Sequence, residues 1–103
     1  MKVVVTPEAR ADLTEIWNWN ATEWGVRHAD SYFAFLGKHI SGLSKTSAKG
    51  RPIGTRPAFR YLMKRRSSGH GHIAVYEIVE NEIRVHHVYH TAQDWQAKLL
   101  NEP

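Results

Sequence analysis

Two apolar runs near the C-terminal end of the chain show the clearest alternation with polar positions. Ile73 to Val79 and Ile83 to Val88 are rich in β-branched residues, and the polar tripeptide Glu80-Asn81-Glu82 separates them. Two such runs around a short polar turn are typical of a β-hairpin. A hairpin alone is only marginally stable in water, so we expect further strands or a helix to cover it.

The N-terminal part of the chain predicts one short strand and then a helix. Lys2 to Val5 is a β-branched run, and Thr6-Pro7-Glu8 follows it. Threonine is a good N-cap residue, proline suits the first helical position, and glutamate favours the positive end of the helix dipole. Gly25 suits the C-terminal end of this helix. Helical spacing predicts one apolar stripe, over Ala9, Leu13, Ile16, Trp17, Asn20 and Trp24.

A second helix is predicted directly after Gly25. Its apolar positions alternate in steps of three and four residues: Val26, Ala29, Phe33, Leu36, Ile40 and Leu43. Two amphipathic helices joined near one glycine form an antiparallel αα-hairpin. Trp19, Tyr32 and Phe35 lie beside or off these stripes. They indicate either an exposed aromatic set that binds a protein partner or packing under a loop or the sheet.

The remaining segments complete the predicted fold. Ser44 to Pro57 is rich in Gly, Pro, Ser and Lys and predicts a loop, whereas Phe59 to Arg66 predicts a strand with one face in water. Thr91 and Asp94 match a capping box that begins a short helix. We predict an α+β fold for a single domain of residues 1–103, with an αα-hairpin packed on a small antiparallel β-sheet of three to four strands and a short C-terminal helix.

The composition excludes several classes of protein. The chain contains no cysteine, which excludes disulfides and thiolate zinc sites and suits a reducing compartment. The N-terminal apolar run is too short for a signal peptide, and no apolar run approaches membrane-spanning length. We therefore expect a cytoplasmic protein that has no membrane partner.

Charge is strongly segregated along the chain. No Asp or Glu occurs from Ser31 to Tyr76, whereas the rest of the chain carries five basic and ten acidic residues. This segregation predicts one positive surface for an anionic partner, either nucleic acid or an acidic polypeptide; the alternative is a solvated basic loop without a partner. The basic residues of the acid-free stretch are Lys38, Lys45, Lys49, Arg51, Arg56, Arg60, Lys64, Arg65 and Arg66.

Seven histidines raise the question of a metal site. In the predicted hairpin His72 lies opposite His90, and His86 shares a face with His90. Strand residues four apart are separated by about 13 Å, which is too far for one metal ion. The sequence contains no familiar ligand motif either. We expect neither a metal nor a cofactor.

An acid–base site is the other candidate chemistry. Tyr89 and His90 end the last strand, and Arg60, Arg65 or Arg66 of a neighbouring strand would lie near them. Metal-free phosphodiester cleavage would use the imidazole to move protons, the tyrosine to position a reacting group and the guanidinium to stabilise the pentavalent anion. The alternative is a structural role, in which His90 bonds to the sheet edge or to the helix start.

With these elements placed, several short motifs follow one another in order, nearly from end to end of the chain. They are Thr6-Pro7-Glu8-Ala9 with Asp12-Leu13 and Ile16; Trp24-Gly25 with Ala29; Gly50-Arg51-Pro52 with Arg60; Ile73 to Tyr76; and Ile83, Val85, Val88, His90 and Asp94-Trp95. In this order and spacing the sequence resembles the ParE branch of the RelE/ParE toxin superfamily.

The resemblance implies the fold predicted above and the toxin component of a type II toxin–antitoxin module. It also implies a ParD-like antitoxin, which would wrap the toxin with an acidic, partly disordered segment that folds on binding. The free toxin would inhibit DNA gyrase and block replication. RelE-like relatives instead cut messenger RNA on the ribosome.

Three features bear on the choice between these functions. The net charge of only +4 and the acidic first helix favour the ParE function. Tyr89-His90 keeps the metal-independent endoribonuclease as an alternative, with Arg60 and Arg65 as its further catalytic residues. A third alternative is a non-catalytic basic module that binds nucleic acid directly or an acidic protein.

For the ParE function we expect no catalytic residue. We predict instead that basic and aromatic side chains bind the antitoxin or the target. They are Lys49, Arg51, Arg56, Arg60, Lys64, Arg65, Arg66, Trp19, Tyr32 and Phe35.

Overall fold

Four helices and five strands make up the described chain. The structure is a computed structural model that describes residues 1–54, 56–66 and 71–100. Its elements in chain order are β1 (Lys2–Val5), α1 (Pro7–Trp24), α2 (Val26–Ser41), α3 (Leu43–Thr46), a 3-10 turn (Ser47–Lys49), β2 (Arg51–Ile53), β3 (Arg56–Lys64), β4 (His72–Val79), β5 (Glu82–His90) and α4 (Trp95–Leu100).

The strands form one mixed sheet in the order β1-β5-β4-β3-β2. β2 to β5 pair antiparallel, whereas β1 pairs parallel with β5, from Lys2 opposite Glu82 to Val5 opposite Val85. The predicted α+β architecture is confirmed. Two details of the prediction were wrong: the sheet has five strands rather than three to four, and one of its edges is parallel rather than antiparallel.

The additional strand lies in the segment that was predicted as a loop. Most of α3, the 3-10 turn, β2 and the first residues of β3 fall within it, while Thr55 lies outside the described residues. Two side chains of the sheet hold the backbone of this segment. The Tyr76 hydroxyl donates to the carbonyl oxygen of Ser47 over 2.6 Å, and Arg60 Nη1 donates to that of Gly50 over 3.1 Å. These long-range bonds outweigh the turn-forming composition.

The central hairpin has a shorter turn than predicted, and the predicted register is reached only at the end away from the turn. His72 lies opposite His90, as predicted. Only two residues connect the strands, and both have left-handed backbone, with φ 51° at Glu80 and φ 67° at Asn81. Such a turn matches the right-handed twist of the two strands it joins.

A β-bulge in β5 changes the face on which its side chains lie. The register with β4 shifts at His86, which is therefore an extra residue in the strand. His86 stacks on Phe59 of β3, with ring centroids 4.9 Å apart, on the face away from α1 and α2. His90 pairs instead with His72, whose ring lies against Tyr32 of α2. The predicted common face of His86 and His90 was wrong, because a bulge interrupts the period of two.

Hydrophobic cores lie on both faces of the sheet. The first lies under the helical hairpin and α3 and contains Tyr76, Leu43 and Ile83, none of which is exposed. The second lies on the opposite face and contains Trp95 and Leu99 of α4. The sheet is therefore covered on each side, and the two core clusters come from the two alternating faces of its strands.

The last helix begins later than the capping box predicted. Asp94 Oδ1 accepts the backbone N–H of Ala97 over 3.3 Å, so Asp94 is the cap of α4. The hydroxyl oxygen of Thr91 accepts the N–H of Gly71 over 3.0 Å instead. Thr91 thus joins the start of β4 to the end of β5 and does not cap the helix.

The helical hairpin is confirmed, but its predicted stripes extend too far. Ala29 and Leu36 are buried in α2. Trp24, Val26 and Phe33 are 65%, 57% and 42% exposed, respectively. The core therefore does not reach the tip of the hairpin.

Within the part of the chain that the structure describes, no helix is both long enough and apolar enough to cross a membrane.

Candidate functional site

A cleft of about 560 Å³ opens between α1, α2 and the C-terminal end of β5. Four of the predicted site residues line it, namely Trp19, Tyr32, Tyr89 and His90. They come from three different elements, so only the tertiary structure brings them together. A cleft of this size is large enough to receive a few side chains or a small ligand.

Asp12 attaches α1 to the edge of β5 beside this cleft. Among the described strands, β1 covers that edge only as far as Val85. Beyond it, Asp12 Oδ2 accepts the backbone N–H of Val88 over 3.0 Å and Nδ1–H of His87 over 2.9 Å. An open strand edge leaves N–H groups without partners. The carboxylate of Asp12 satisfies one of them and holds α1 in place.

The back of the cleft contains a buried histidine. His72 is 7% exposed, and its Nδ1 and the Tyr32 hydroxyl form a hydrogen bond of 2.5 Å. Burial, and secondarily the charge of the adjacent His90, lowers the pKa of His72 to about 4. Burial also raises the pKa of the Tyr32 hydroxyl. Near neutral pH both groups are uncharged, and their hydrogen bond joins α2 to β4.

The charged groups of the cleft do not form a phosphate site. Asp12 and Glu15 line it on the α1 side, and Lys98 is the single Lys or Arg among the described residues that line it. Cleavage of a phosphodiester needs cations directed at the charge that develops on phosphorus oxygens. Among the described residues, no three His, Asp or Glu side chains cluster to hold a metal ion.

The residues predicted for a nuclease are divided between two places. Tyr89 and His90 line the cleft. Arg60 lies on β3 opposite Tyr76 and donates to the Gly50 carbonyl. It is four residues along the sheet from the row of His90, or about 13 Å at the usual rise of a strand. Arg65 follows the end of β3 and does not line the cleft.

The predicted basic residues lie on or next to β2 and β3, towards the edge of the sheet opposite β1 and β5. β3 and β2 form that side, whereas the acidic helix α1 packs along β5. These residues thus lie towards the sheet edge away from α1, but on both faces of it, since Arg51 pairs with Tyr61 of the second core and Lys64 lies two residues from Leu62 of the first. We use the term basic surface for the exposed members of the set, which are Lys49, Arg51, Lys64, Arg65 and Arg66.

Two of the predicted arginines are half-buried. Arg60 supports the backbone of Gly50, as described above. The guanidinium of Arg56 lies 5.7 Å from the centroid of the Phe59 ring, a distance at which cation–π attraction operates. These contacts give both arginines a structural role on β3.

The predicted aromatic set divides between the two expected states. Trp19 is 60% exposed at the rim of the cleft. Tyr32 and Phe35 are half-buried, with ring centroids 5.6 Å apart. Trp19 is therefore exposed, whereas Tyr32 and Phe35 are packed against neighbouring side chains.

Two residues of the site were not singled out by their chemistry in the sequence. Asp12 was noted only within a motif, and His72 only as the partner of His90. The sequence does contain a hint of the first, since Asp12 lies between Ala9 and Ile16 of the apolar stripe of α1. A carboxylate beside a buried stripe needs a hydrogen-bonding partner. His72 shows no such hint.

Comparisons with known proteins agree with this architecture. Residues 3–95 match the family described as the ParE toxin of type II toxin–antitoxin system, parDE. A solved structure described as the chromosomal ParDE TA system from P. aeruginosa is similar, with a TM-score of 0.75 over 86% of this chain and 94% of that chain. The identity is 22%, so this similarity shows the fold alone. A comparison with curated proteins found no match.

The fold and the family match identify a toxin domain of the RelE/ParE type. The match covers most of the chain and includes the helical hairpin, the sheet and the start of α4. The chain belongs to the ParE toxin family of type II toxin–antitoxin systems. The resemblance found in the sequence is confirmed.

Proposed function

We propose that this toxin inhibits DNA gyrase, thereby blocks replication, and acts in the cytoplasm without being an enzyme itself. The observation that supports this best is the composition of the cleft. It contains Tyr89 and His90 but, among its described lining residues, no arginine and only Lys98 as a lysine. A toxin that binds and traps its target needs complementary surfaces, and it does not need a site for a pentavalent phosphorane.

We further propose that a ParD-like antitoxin neutralises the toxin through an acidic, partly disordered segment that folds on binding. The basic surface would receive its carboxylates, with Arg65 and Arg66 as the central contacts. Long-range attraction between opposite charges raises the rate of such an association. Trp19, exposed beside the acidic cleft, would supply an apolar anchor for the antitoxin or for gyrase.

Arg56 and Arg60 belong to this proposal in a different way. Both were predicted as binding residues, and their contacts to Phe59 and Gly50 support a role in holding β2 and β3 beneath the basic surface. We therefore expect their substitution to reduce antitoxin binding by disturbing this edge of the sheet.

The deciding experiment asks which macromolecule is broken. Purified toxin is incubated with gyrase and supercoiled plasmid, and in parallel with a translating extract that contains a labelled message. We expect gyrase-linked double-strand breaks in the plasmid and an intact message. Cleavage of ribosome-bound message with untouched plasmid would contradict the proposal.

Variants separate binding from catalysis. His90→Ala is expected to retain toxicity, because the imidazole performs no chemistry in a gyrase inhibitor. Arg65→Glu with Arg66→Glu is expected to weaken both antitoxin binding and toxicity. A matched control, Lys2→Glu with Arg10→Glu, reverses two exposed charges on β1 and α1 and should leave both properties unchanged.

The second candidate function is ribosome-dependent cleavage of messenger RNA. One observation favours it, namely that the tyrosine and the histidine at the end of β5 line the same cleft. If His90→Ala and Tyr89→Phe both abolish growth arrest, while the folded variants still bind antitoxin, the nuclease function replaces the proposed one. Antitoxin binding without growth arrest by the unmodified toxin would leave only the non-catalytic binding module.

A further inference from the structure

A second depression lies at the tip of the helical hairpin, away from the cleft described above. Its lining combines an indole, an imidazole, a hydroxyl and two guanidinium groups: Trp24, Arg27, His28, Ser31 and Arg66. All five residues are exposed, and the depression has a volume of about 670 Å³. It is therefore an open pocket that a flexible ligand can enter from solvent. We call it the tip pocket.

The cations of the tip pocket come from separate parts of the chain. Arg27 lies on α2, and Arg66 follows the end of β3. Arg66 Nη2 donates to the Ser31 hydroxyl oxygen over 2.5 Å. This bond holds the guanidinium of Arg66 against α2, the helix that also carries Arg27. Two guanidinium groups that face one pocket attract a phosphate, because each offers several donors in a planar fork.

Among the residues that the structure describes, no carboxylate lines the tip pocket. Glu23 and Asp30 are close in sequence, but neither lines it. Asp30 Oδ1 accepts Nε1–H of Trp17 over 2.9 Å, so this carboxylate is directed at α1. The pocket therefore keeps a positive charge of its own.

The exposed indole distinguishes the tip pocket from a simple anion site. Trp24 leaves 65% of its surface in water at the pocket wall, where it supports no core. The His28 ring lies 6.0 Å from it, centroid to centroid, and stacks further along α2 on Tyr32 at 6.5 Å. Aromatic faces beside a basic groove are the usual means of binding single-stranded nucleic acid, with the bases stacked and the backbone held by charge.

We propose that the tip pocket binds one nucleotide unit of a single-stranded nucleic acid. The base stacks on Trp24, and the adjoining phosphate lies between Arg27 and Arg66. Carboxylate side chains would satisfy the guanidinium groups but have no ring to stack on the indole, whereas every nucleotide carries a base and a phosphate together, so the pocket favours a nucleotide. This inference does not depend on gyrase as the target, because it rests on the residues of the tip pocket alone and its test contains no gyrase.

The experiment measures the fluorescence anisotropy of labelled ten-nucleotide DNA and RNA strands mixed with the purified full chain. We expect both strands to bind. The strand with the higher affinity shows whether the pocket prefers DNA or RNA. Trp24→Ala should weaken binding roughly 5- to 150-fold, which is the range for loss of one stacked base. Trp19→Ala, a variant of the other exposed tryptophan at a different site, should leave binding unchanged.

Charge variants test the phosphate contact separately. Arg27→Ala with Arg66→Ala should weaken binding at least tenfold and should reduce the slope of log K against log salt by about 0.7, since the two guanidinium groups share one phosphate and each phosphate neutralised on a single strand contributes about 0.7. The matched control, Lys49→Ala with Arg51→Ala, removes two exposed cations beside and on β2. Circular dichroism verifies that each variant is folded.

Three results would overturn the proposal. They are binding by the Arg27 and Arg66 double variant within twofold of the unmodified chain, an equal loss in the β2 control, and competition by an oligoglutamate peptide at the same concentration as an unlabelled oligonucleotide. The second result would indicate diffuse attraction to the whole basic surface. The third would indicate a general anion site or an acidic protein partner.

Discussion

Gly50 offers the sharpest test of how the fold is held together, because no side chain fits at this position. A Cβ atom on Gly50 would lie 1.8 Å from the hydroxyl oxygen of Tyr76 and 2.8 Å from Cζ of that ring. Tyr76 is fully buried, and its hydroxyl donates to the carbonyl of Ser47. Gly50→Ala must therefore displace the ring and break this hydrogen bond.

The size of the effect follows from these two consequences. Overpacking a core costs about 1–3 kcal/mol, and a buried carbonyl without its donor costs about 1–3 kcal/mol. We expect Gly50→Ala to reduce the free energy of unfolding by about 2–6 kcal/mol. Tyr76→Phe removes the same hydroxyl and should reduce it by about 1–3 kcal/mol.

The double variant gives the decisive comparison. With phenylalanine at position 76 the closest contact disappears, and the hydrogen bond is lost only once. The double variant should thus be more stable than the sum of the single effects predicts, by about 1–3 kcal/mol. Equilibrium urea unfolding followed by circular dichroism measures all four proteins, in trimethylamine oxide if Gly50→Ala alone is unfolded in buffer.

Two results bear on the reasoning. Single effects that add within about 0.5 kcal/mol would refute the close approach of Gly50 to Tyr76, since independent sites add to that precision. Gly37→Ala is the control, because a Cβ there meets no atom within 4 Å and the position lies inside α2. We expect it to stabilise the protein by about 0.4–1 kcal/mol.

Further predictions concern pH and helix capping. Unfolded His72 takes up a proton near pH 6.5 and folded His72 only near pH 4, so stability should fall as pH drops from 6.5 to 4, by about 3 kcal/mol in full. His72→Asn should flatten this slope in urea titrations while the exposed His28→Asn keeps it; equal slopes would contradict the buried neutral imidazole. Thr6→Ala should lower the unfolding free energy by about 1–2 kcal/mol, because the Thr6 hydroxyl both caps α1 and donates to Val85. Asp94→Ala should speed amide exchange within α4 without changing it in the sheet.

The local elements of the fold could be predicted because their causes lie within a few residues. Thr6-Pro7 starts α1, and two β-branched runs around Asn81 make the hairpin. His72 does lie opposite His90 as predicted, but the two-residue turn alone would place it opposite Tyr89, and the bulge at His86 shifts the pairing by one residue. Errors began where that locality ends, as at Trp24, whose helical spacing did not show that the core stops before the tip.

The candidate site was less predictable, because it depends on contacts between distant segments. The sequence showed which side chains have the chemistry for acid–base catalysis or for binding an anion, among them Tyr89, His90 and Arg60. It did not show that Arg60 would be engaged by the Gly50 carbonyl, away from the other two. Nor did it indicate Asp12 as the partner of the free edge of β5.

By itself, then, the sequence determined the helical hairpin, the C-terminal helix, the β-hairpin, the segregation of charge along the chain and the family, all of which depend on composition and short spacings. The tertiary structure alone decided the bulge at His86, the extra strand β2, and the division of the arginines into supporting and exposed groups. The physical reason is that hydrogen bonds and packing across the sheet can outweigh local preference. The Tyr76 and Arg60 bonds to a glycine-rich segment turned a predicted loop into an edge of the sheet.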